Sequence, residues 1–506
     1  MSETGGSRVI GSRTAEAARA TRRGAGWSDA RVALVVGCAA AIVGVAGSWI
    51  PSLWGDEAAS IMSARRDWAS LAALLGTVDA VHGLYYGLLH LWTDVAGTSP
   101  FAVRLPSGLA FGAAAAGLYL LVRTRADRAT ALIAAIILSV LPRVTQAATE
   151  ARPLAFATAL AVWLTLLLTT LLDGRRSRRW WWVYSAGLAV SAYLNLYLLL
   201  LLPVHVVAAA LHPDRRGRLA ELGGAAAGTV LLASPIVVIA AMQRGQVAFR
   251  ADQEVVTLEG VLVDQWFMLP PLAVVGWTLV AASVALVVVH RSDPSWAGVR
   301  WLLALSVAWM MLPTVALVTG TVVVTPMYTP RYLVFCAPGV AIAIAVAVAA
   351  LRAGWVRACV VAAVVALAAP GYGDQRTPYA KNLGTDWHDV SATVARLTEP
   401  GDGIVFDESV RASRRPRLAM YTYPDGFAGL VDLTLVRPHH RTDRLWDVTA
   451  PLAEVDRRLE GVDRVIVVSR SRDGVEQDVD VLRSAGFVER ERITLESDVV
   501  RRFDRP

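Results

Sequence analysis

Long apolar runs separated by short charged connections fill the chain as far as residue 373, and a densely charged stretch of mixed pattern follows. Crossing the hydrocarbon of a bilayer takes about 20 apolar residues. Eleven runs approach that length, at 32–50, 101–122, 129–147, 153–172, 180–194, 196–211, 219–241, 270–289, 300–320, 331–351 and 355–371. Asn195 reads either as a turn between two short helices or as a polar residue inside one long helix over 180–211. The first run is too long for the apolar region of a signal peptide, and Trp49-Ile50-Pro51 is a poor cleavage site, so it is expected to stay as an uncleaved helix. Past residue 373 the pattern changes. Gly403–Phe406 and Arg464–Val468 are β-like, the stretches near 386–398 and 451–460 have helical spacing, and Ser484-Ala485-Gly486-Phe487 leads into a final strand pair. The expected fold is a polytopic α-helical membrane protein of about eleven helices with a soluble C-terminal α/β domain. Residues 1–30 form a disordered cytoplasmic tail, 31–373 the membrane domain and 374–506 the soluble domain.

Composition agrees: 55% of residues are hydrophobic and 18% charged, against roughly a quarter charged in soluble domains. The net charge of +7 comes from arginine clusters lying between apolar runs, a distribution that reports topology rather than nucleic-acid binding. With the N-terminus in the cytoplasm, the cytoplasmic connections hold Arg123, Arg125 and Arg128; Arg175, Arg176, Arg178 and Arg179; Arg215, Arg216 and Arg218; Arg291; and Arg352 and Arg357. The plasma membrane is the expected location, and an odd helix count puts the soluble domain outside. Cys38, Cys336 and Cys359 each sit in an apolar run and offer neither a disulfide framework nor zinc spacing.

The external connections carry the unusual polar residues. The first, 51–100, opens with Asp56-Glu57 and continues through Asp79, His82, Tyr85 and Tyr86; its periodic apolar residues predict short interfacial helices. A second runs from Arg143 through Glu150 and Arg152, a third (243–269) holds Arg244, Arg250, Asp252, Glu254, Glu259, Asp264 and Gln265, and a fourth holds Arg331 and Tyr332. Ionisable residues at a membrane edge mark candidate functional sites. Arginines bind phosphate bidentately and a carboxylate can deprotonate a hydroxyl, so a phosphate-linked group at the interface suits this set. Asp56-Glu57 could equally cap the helix that follows, since acidic residues favour a first turn. Asp478-Val479-Asp480 and His439-His440 read as solvated surface.

Taken in order, Trp54-Gly55-Asp56-Glu57-Ala58, Asp79-Ala80-Val81-His82-Gly83-Leu84-Tyr85-Tyr86, Phe101-Ala102-Val103-Arg104-Leu105-Pro106-Ser107, Glu150-Ala151-Arg152-Pro153 and Pro330-Arg331-Tyr332-Leu333 resemble the GT-C glycosyltransferases. The nearest branch contains the protein O-mannosyltransferases and aminoarabinose transferases. The resemblance covers about 50–340. It implies a polyprenyl-phosphate sugar donor, transfer outside the cytoplasm with inversion, and a catalytic aspartate in the first external loop. That residue is Asp56, with Glu57 similar to an acceptor-orienting second carboxylate. Asp79, His82, Tyr85, Tyr86, Glu150, Arg152, Arg331 and Tyr332 become donor- and acceptor-binding candidates. Mannose is the favoured sugar and arabinose the next; the acceptor is a glycan, glycolipid or protein hydroxyl. A divalent metal is allowed but not demanded. His82-Gly83-Leu84 departs from the branch's usual His-Pro-Pro-Leu. The alanine- and arginine-rich composition fits a GC-rich genome, such as an actinobacterial one.

A transporter or flippase of lipid-linked sugars is the rival expectation. It predicts polar groups near mid-membrane, internal repeats and broken helices; Pro142, Pro235 and Pro313 are the candidate breaks.

Overall fold

The computed structural model describes residues 27–243, 245, 256–382, 384–470 and 475–506. Nearly all of the expected tail 1–30 and, from the third connection, Arg244, Arg250, Asp252 and Glu254 lie outside the described residues. Each of the eleven apolar runs is helical. Among the described residues seven helices are long and apolar enough to cross a membrane, and an eighth span is added if Arg128–Val140 and Pro142–Ala148 count as one, bent by 65°. The bend falls at Leu141 because the following proline restricts that residue to extended backbone. By contrast, Pro106, Pro235 and Pro313 sit inside continuous helices.

Asn195 separates two helices. Its backbone is extended (φ −155°, ψ 107°) and its side chain accepts a hydrogen bond from Tyr197 N at 3.1 Å, so the chain turns after Trp180–Leu194 and restarts at Leu196. The first helix, Asp29–Val45, packs along Pro100–Arg123 through small residues. A Cβ at Gly112 would lie 2.5 Å from the carbonyl of Gly37 and 2.7 Å from Ala41 Cβ. In an apolar medium such close backbone approach supplies the packing that water-driven burial cannot.

The connection 51–100 folds as expected into short helices, Gly55–Ala64, Trp68–Thr77 and Gly83–Ala96, with a 3₁₀ turn at Ala80–His82. The soluble domain sits on top of them. Its five-stranded sheet has the order β2-β1-β5-β7-β6, from β1 (Gly403–Phe406), β2 (Val431–Asp432), β5 (Arg464–Ser469), β6 (Val488–Thr494) and β7 (Val499–Asp504); β1 runs parallel to β2 and β5, and β7 antiparallel to β5 and β6. β3 (Leu435–Arg437) and β4 (Val448–Thr449) form a separate pair. Helix Trp387–Leu397 and the strands match the expected pattern, whereas 451–460 is two 3₁₀ turns rather than a helix. Asp480 and His440 are exposed as expected and Asp478 is half-buried, accepting from Leu452 N, whereas His439 is buried against Asp447, contrary to the solvated surface expected.

The two parts share a core: Ala58 and Met62 pack with Trp387, Val390, Phe406 and Leu418. Arg66 Nη1 donates to Thr442 O at 2.8 Å and Ser70 Oγ to His440 O at 2.7 Å. Gly112→Val is expected to push the first two membrane helices apart and cost about 1–3 kcal/mol, read as a lowered melting temperature of the purified protein in detergent.

Candidate active site

An extended stretch, 51–54, delivers the chain from the first helix to Gly55–Ala64, held by Ser52 N donating to Pro378 O and Leu53 N to the Tyr423 hydroxyl, both at 2.8 Å. Asp56 and Glu57 fall in the first turn, where free N–H groups favour negative charge. Successive helical residues point about 100° apart, so the two carboxylates face different surroundings.

Glu57 faces inward and is fully buried. Its Oε1 accepts from Arg104 Nε at 2.7 Å and from Ala151 N at 2.9 Å, and its Oε2 from Arg104 Nη2 at 2.6 Å. The remaining Arg104 protons go to the carbonyls of Ser48, Pro51 and Ser52, so all five of its donors are used. Glu57 therefore has no oxygen turned toward an acceptor, contrary to the orienting role the resemblance implied.

Asp56 faces outward with 24% of its side chain exposed. Arg331 Nη2 donates to its Oδ2 at 2.7 Å, and Arg152 Nη1 donates to its backbone carbonyl and to Ser60 Oγ, both at 3.3 Å. Burial alone would raise the Asp56 carboxyl, but the charges of Arg331 and Arg152 and the Arg331 hydrogen bond hold it below the usual carboxylate range. The Arg331 guanidinium lies 5.2 Å from the ring centre of Trp54 and 5.6 Å from that of Tyr332, which tilts against Tyr197.

The rest of the first loop closes one side. Arg152 Nη2 lies 3.1 Å from His82 Nε2, which accepts its hydrogen bond, and the Tyr86 hydroxyl donates to Asp79 Oδ2 at 2.9 Å. Asp79 holds a left-handed backbone (φ 59°), a conformation uncommon outside glycine and most often taken by Asn and Asp. Burial pushes its carboxyl up, against the opposing charge of Arg152 and the Tyr86 bond. Two aspartates with oppositely shifted acidities thus face the same arginine. Tyr85 packs beneath, edge-on to Phe156 at 6.0 Å. Glu150 turns away from Asp56; its carbonyl accepts from Ser107 Oγ at 2.6 Å and its carboxylate lies 3.4 Å from Lys381 Nζ.

The sequence reading named Asp56, His82, Asp79, Tyr86, Arg152 and Arg331, and the fold brings these together. It missed two residues. Arg104 stood within a quoted motif, and its signal was a charge inside an apolar helix. Lys381 lay in the charged stretch beyond the membrane domain. Ser413 of the soluble domain also reaches the site: its carbonyl would lie 2.0 Å from a Cβ on Gly55. Among the described residues no three His, Cys, Asp or Glu side chains gather as a metal site.

Residues 84–240 match the sequence model of the family described as dolichyl-phosphate-mannose-protein mannosyltransferase. No curated protein matches the chain. Among solved structures, ArnT from Cupriavidus metallidurans bound to undecaprenyl phosphate is similar with a TM-score of 0.56 at 13% identity, covering 92% of this chain and 97% of that one. Its apo state gives 0.51 at 13% identity with the same coverage. The Archaeoglobus fulgidus oligosaccharyltransferase tethered with an acceptor peptide gives 0.48 at 11% identity over 86% of this chain and 68% of that one. The architecture is the fold of the GT-C glycosyltransferases, as the motifs led one to expect: a helical membrane domain, a helical first loop and a small C-terminal sheet domain.

Glu57→Ala leaves Arg104 buried without its counter-charge. The expected loss is about 3–5 kcal/mol of stability, seen as a fall in melting temperature far larger than that of Asp56→Asn. Because Asp56 is held below the usual carboxylate range, its ionised form persists as pH falls. The acid limb of kcat/KM, which reports the unliganded enzyme, is expected below the range of an exposed aspartate and to disappear in Asp56→Asn, as a pH–rate profile will read.

Proposed function

We propose that this protein is an inverting glycosyltransferase that moves a sugar from a polyprenyl-phosphate donor to a hydroxyl of a cell-envelope glycan, glycolipid or protein. The observation that carries the reading is Asp56, an ionised and partly exposed carboxylate flanked by Arg331 and Arg152 at the membrane edge. Asp56 takes the proton from the acceptor hydroxyl. The acceptor oxygen bonds to the anomeric carbon as the bond from that carbon to the phosphate oxygen breaks, and the electron pair leaves with polyprenyl phosphate. Negative charge grows on that phosphate during the step, and two preset guanidiniums stabilise it more in the transition state than before.

The same arginines couple donor binding to base strength. In the unliganded site they depress Asp56. A donor phosphate draws their hydrogen bonds, so the carboxylate becomes more basic once the donor is seated. His82, Asp79 and Tyr86 shape the wall that Arg152 shares, and Tyr332 and Tyr197 offer an aromatic face beside Arg331 for the sugar or lipid. We assign Glu57 to holding the helix start rather than to the acceptor. The family description for residues 84–240 makes mannose the first sugar to test and arabinose the second. The arginine distribution supports a plasma-membrane enzyme with a cytoplasmic N-terminus and an external site. A flippase is less favoured because the charged cluster lies at one end of the helices rather than midway along them.

The test is transfer by the purified chain in nanodiscs from radiolabelled polyprenyl-phosphomannose, then polyprenyl-phosphoarabinose, to envelope glycolipids. Wild type is expected to give product of inverted anomeric configuration. Asp56→Asn is expected to lose about 10²–10⁴ in rate with a native melting profile. A folded Asp56→Asn that transfers at the wild-type rate removes the base assignment; lipid-linked sugar crossing the bilayer without covalent product would favour the flippase.

A further inference from the structure

Lys381 is the one lysine in the chain: every other basic residue among the 49 lysines and arginines is arginine. It lies in the segment joining the last membrane helix, Gly354–Asp374, to the first helix of the soluble domain, yet only 3% of its side chain is exposed. Nζ is 3.1 Å from Thr149 Oγ1 and 3.4 Å from Glu150 Oε1. The backbone wraps tightly around it, with Gly384 N and Thr385 N both donating to its carbonyl at 3.1 and 3.0 Å. Asn382 and Gly384 adopt positive φ (42° and 82°) in that turn.

A guanidinium carries five donors in a flat fork, whereas an ammonium is a compact point charge with three. The acceptors beside Nζ are one hydroxyl and one carboxylate oxygen, which suits the ammonium. Glu150 is itself buried and stands two residues before Arg152. Arg331 also feels the Glu150 charge. An uncompensated buried carboxylate here would compete with Asp56, and with an incoming phosphate, for those guanidiniums.

We infer that Lys381 is a positioning residue for the donor phosphate: by neutralising Glu150 it leaves Arg152 and Arg331 directed at Asp56 and the phosphate. This rests on the donor class proposed above. Lys381 touches no substrate. The charged groups facing it are Glu150 on the turn before Leu154–Leu172, Glu57 on Gly55–Ala64 and Arg104 on Pro100–Arg123. Burial pushes the ammonium below the ordinary lysine range, with Glu150 and Glu57 opposing. Its charge is therefore lost on raising the pH sooner than that of an exposed lysine, and donor affinity falls with it.

Undecaprenyl phosphate binding to the full chain in nanodiscs, measured from about pH 7 to about pH 10, tests this apart from transfer. Lys381→Met is expected to weaken binding ~10-fold or more, and Lys381→Met with Glu150→Gln to restore it to within ~3-fold of wild type, because no carboxylate then needs neutralising. Wild type is expected to lose affinity on the alkaline side, and Lys381→Arg, where it folds, to keep it. If Lys381→Met does not fold, the double variant is compared with Glu150→Gln alone; equal affinity supports the inference. Wild-type affinity in a folded Lys381→Met overturns it, as does a folded double variant as weak as Lys381→Met. Binding that follows the expected pattern without sugar transfer by wild type would retire the proposed reaction and keep the role of Lys381. Transfer by wild type with binding indifferent to Lys381 would do the reverse.

Discussion

Glu57 and Arg104 meet where water does not reach, and the geometry of the Asp56 face is referenced to that contact. Taking both charges out of water is expensive, and only saturated hydrogen bonding makes such a pair tolerable. Here every donor of the guanidinium is used: it spends those left over from Glu57 on three carbonyls of the stretch leaving the first helix. The carboxylate takes Ala151 N as well. One pair thus ties together the exit from the first helix, the start of Gly55–Ala64, the body of Pro100–Arg123 and the turn that carries Arg152.

Behind and in front of that pair the charges divide into two groups. The rear group of Glu57, Arg104, Glu150 and Lys381 is buried and sums to zero. The front group of Asp56, Asp79, Arg152 and Arg331 reaches solvent at Asp56. Burial raises the Asp79 carboxyl, so of the two front aspartates it opposes the arginines less firmly, which suits an anionic ligand. Internal neutrality at the rear is what leaves the front arginines available.

Much of this was legible in the sequence because hydrophobic length is a strong signal. Eleven apolar runs became eleven helical segments, and Gly403–Phe406 and 464–468 appear as strands with nearly those bounds. Ordered motifs located Asp56, Arg152 and Arg331 because a membrane edge tolerates few charges, so those that remain stand out. The role of Glu57 was not legible: adjacent residues look equivalent in a sequence, while a helix sends them to different faces. The stretch 451–460 has helical spacing but forms 3₁₀ turns between β4 and β5. Lys381 sat among many charges, and only the fold shows that it turns back into the membrane domain.

The contact between Gly55 and Ser413 also sets an order of events during synthesis. Asp56 emerges from the ribosome early, but the backbone that lies against its helix is made more than 350 residues later. Loops closed over such separations form late. A nascent or truncated chain can insert its helices and still lack the wall beside Asp56, which is finished only when the last domain has folded and docked.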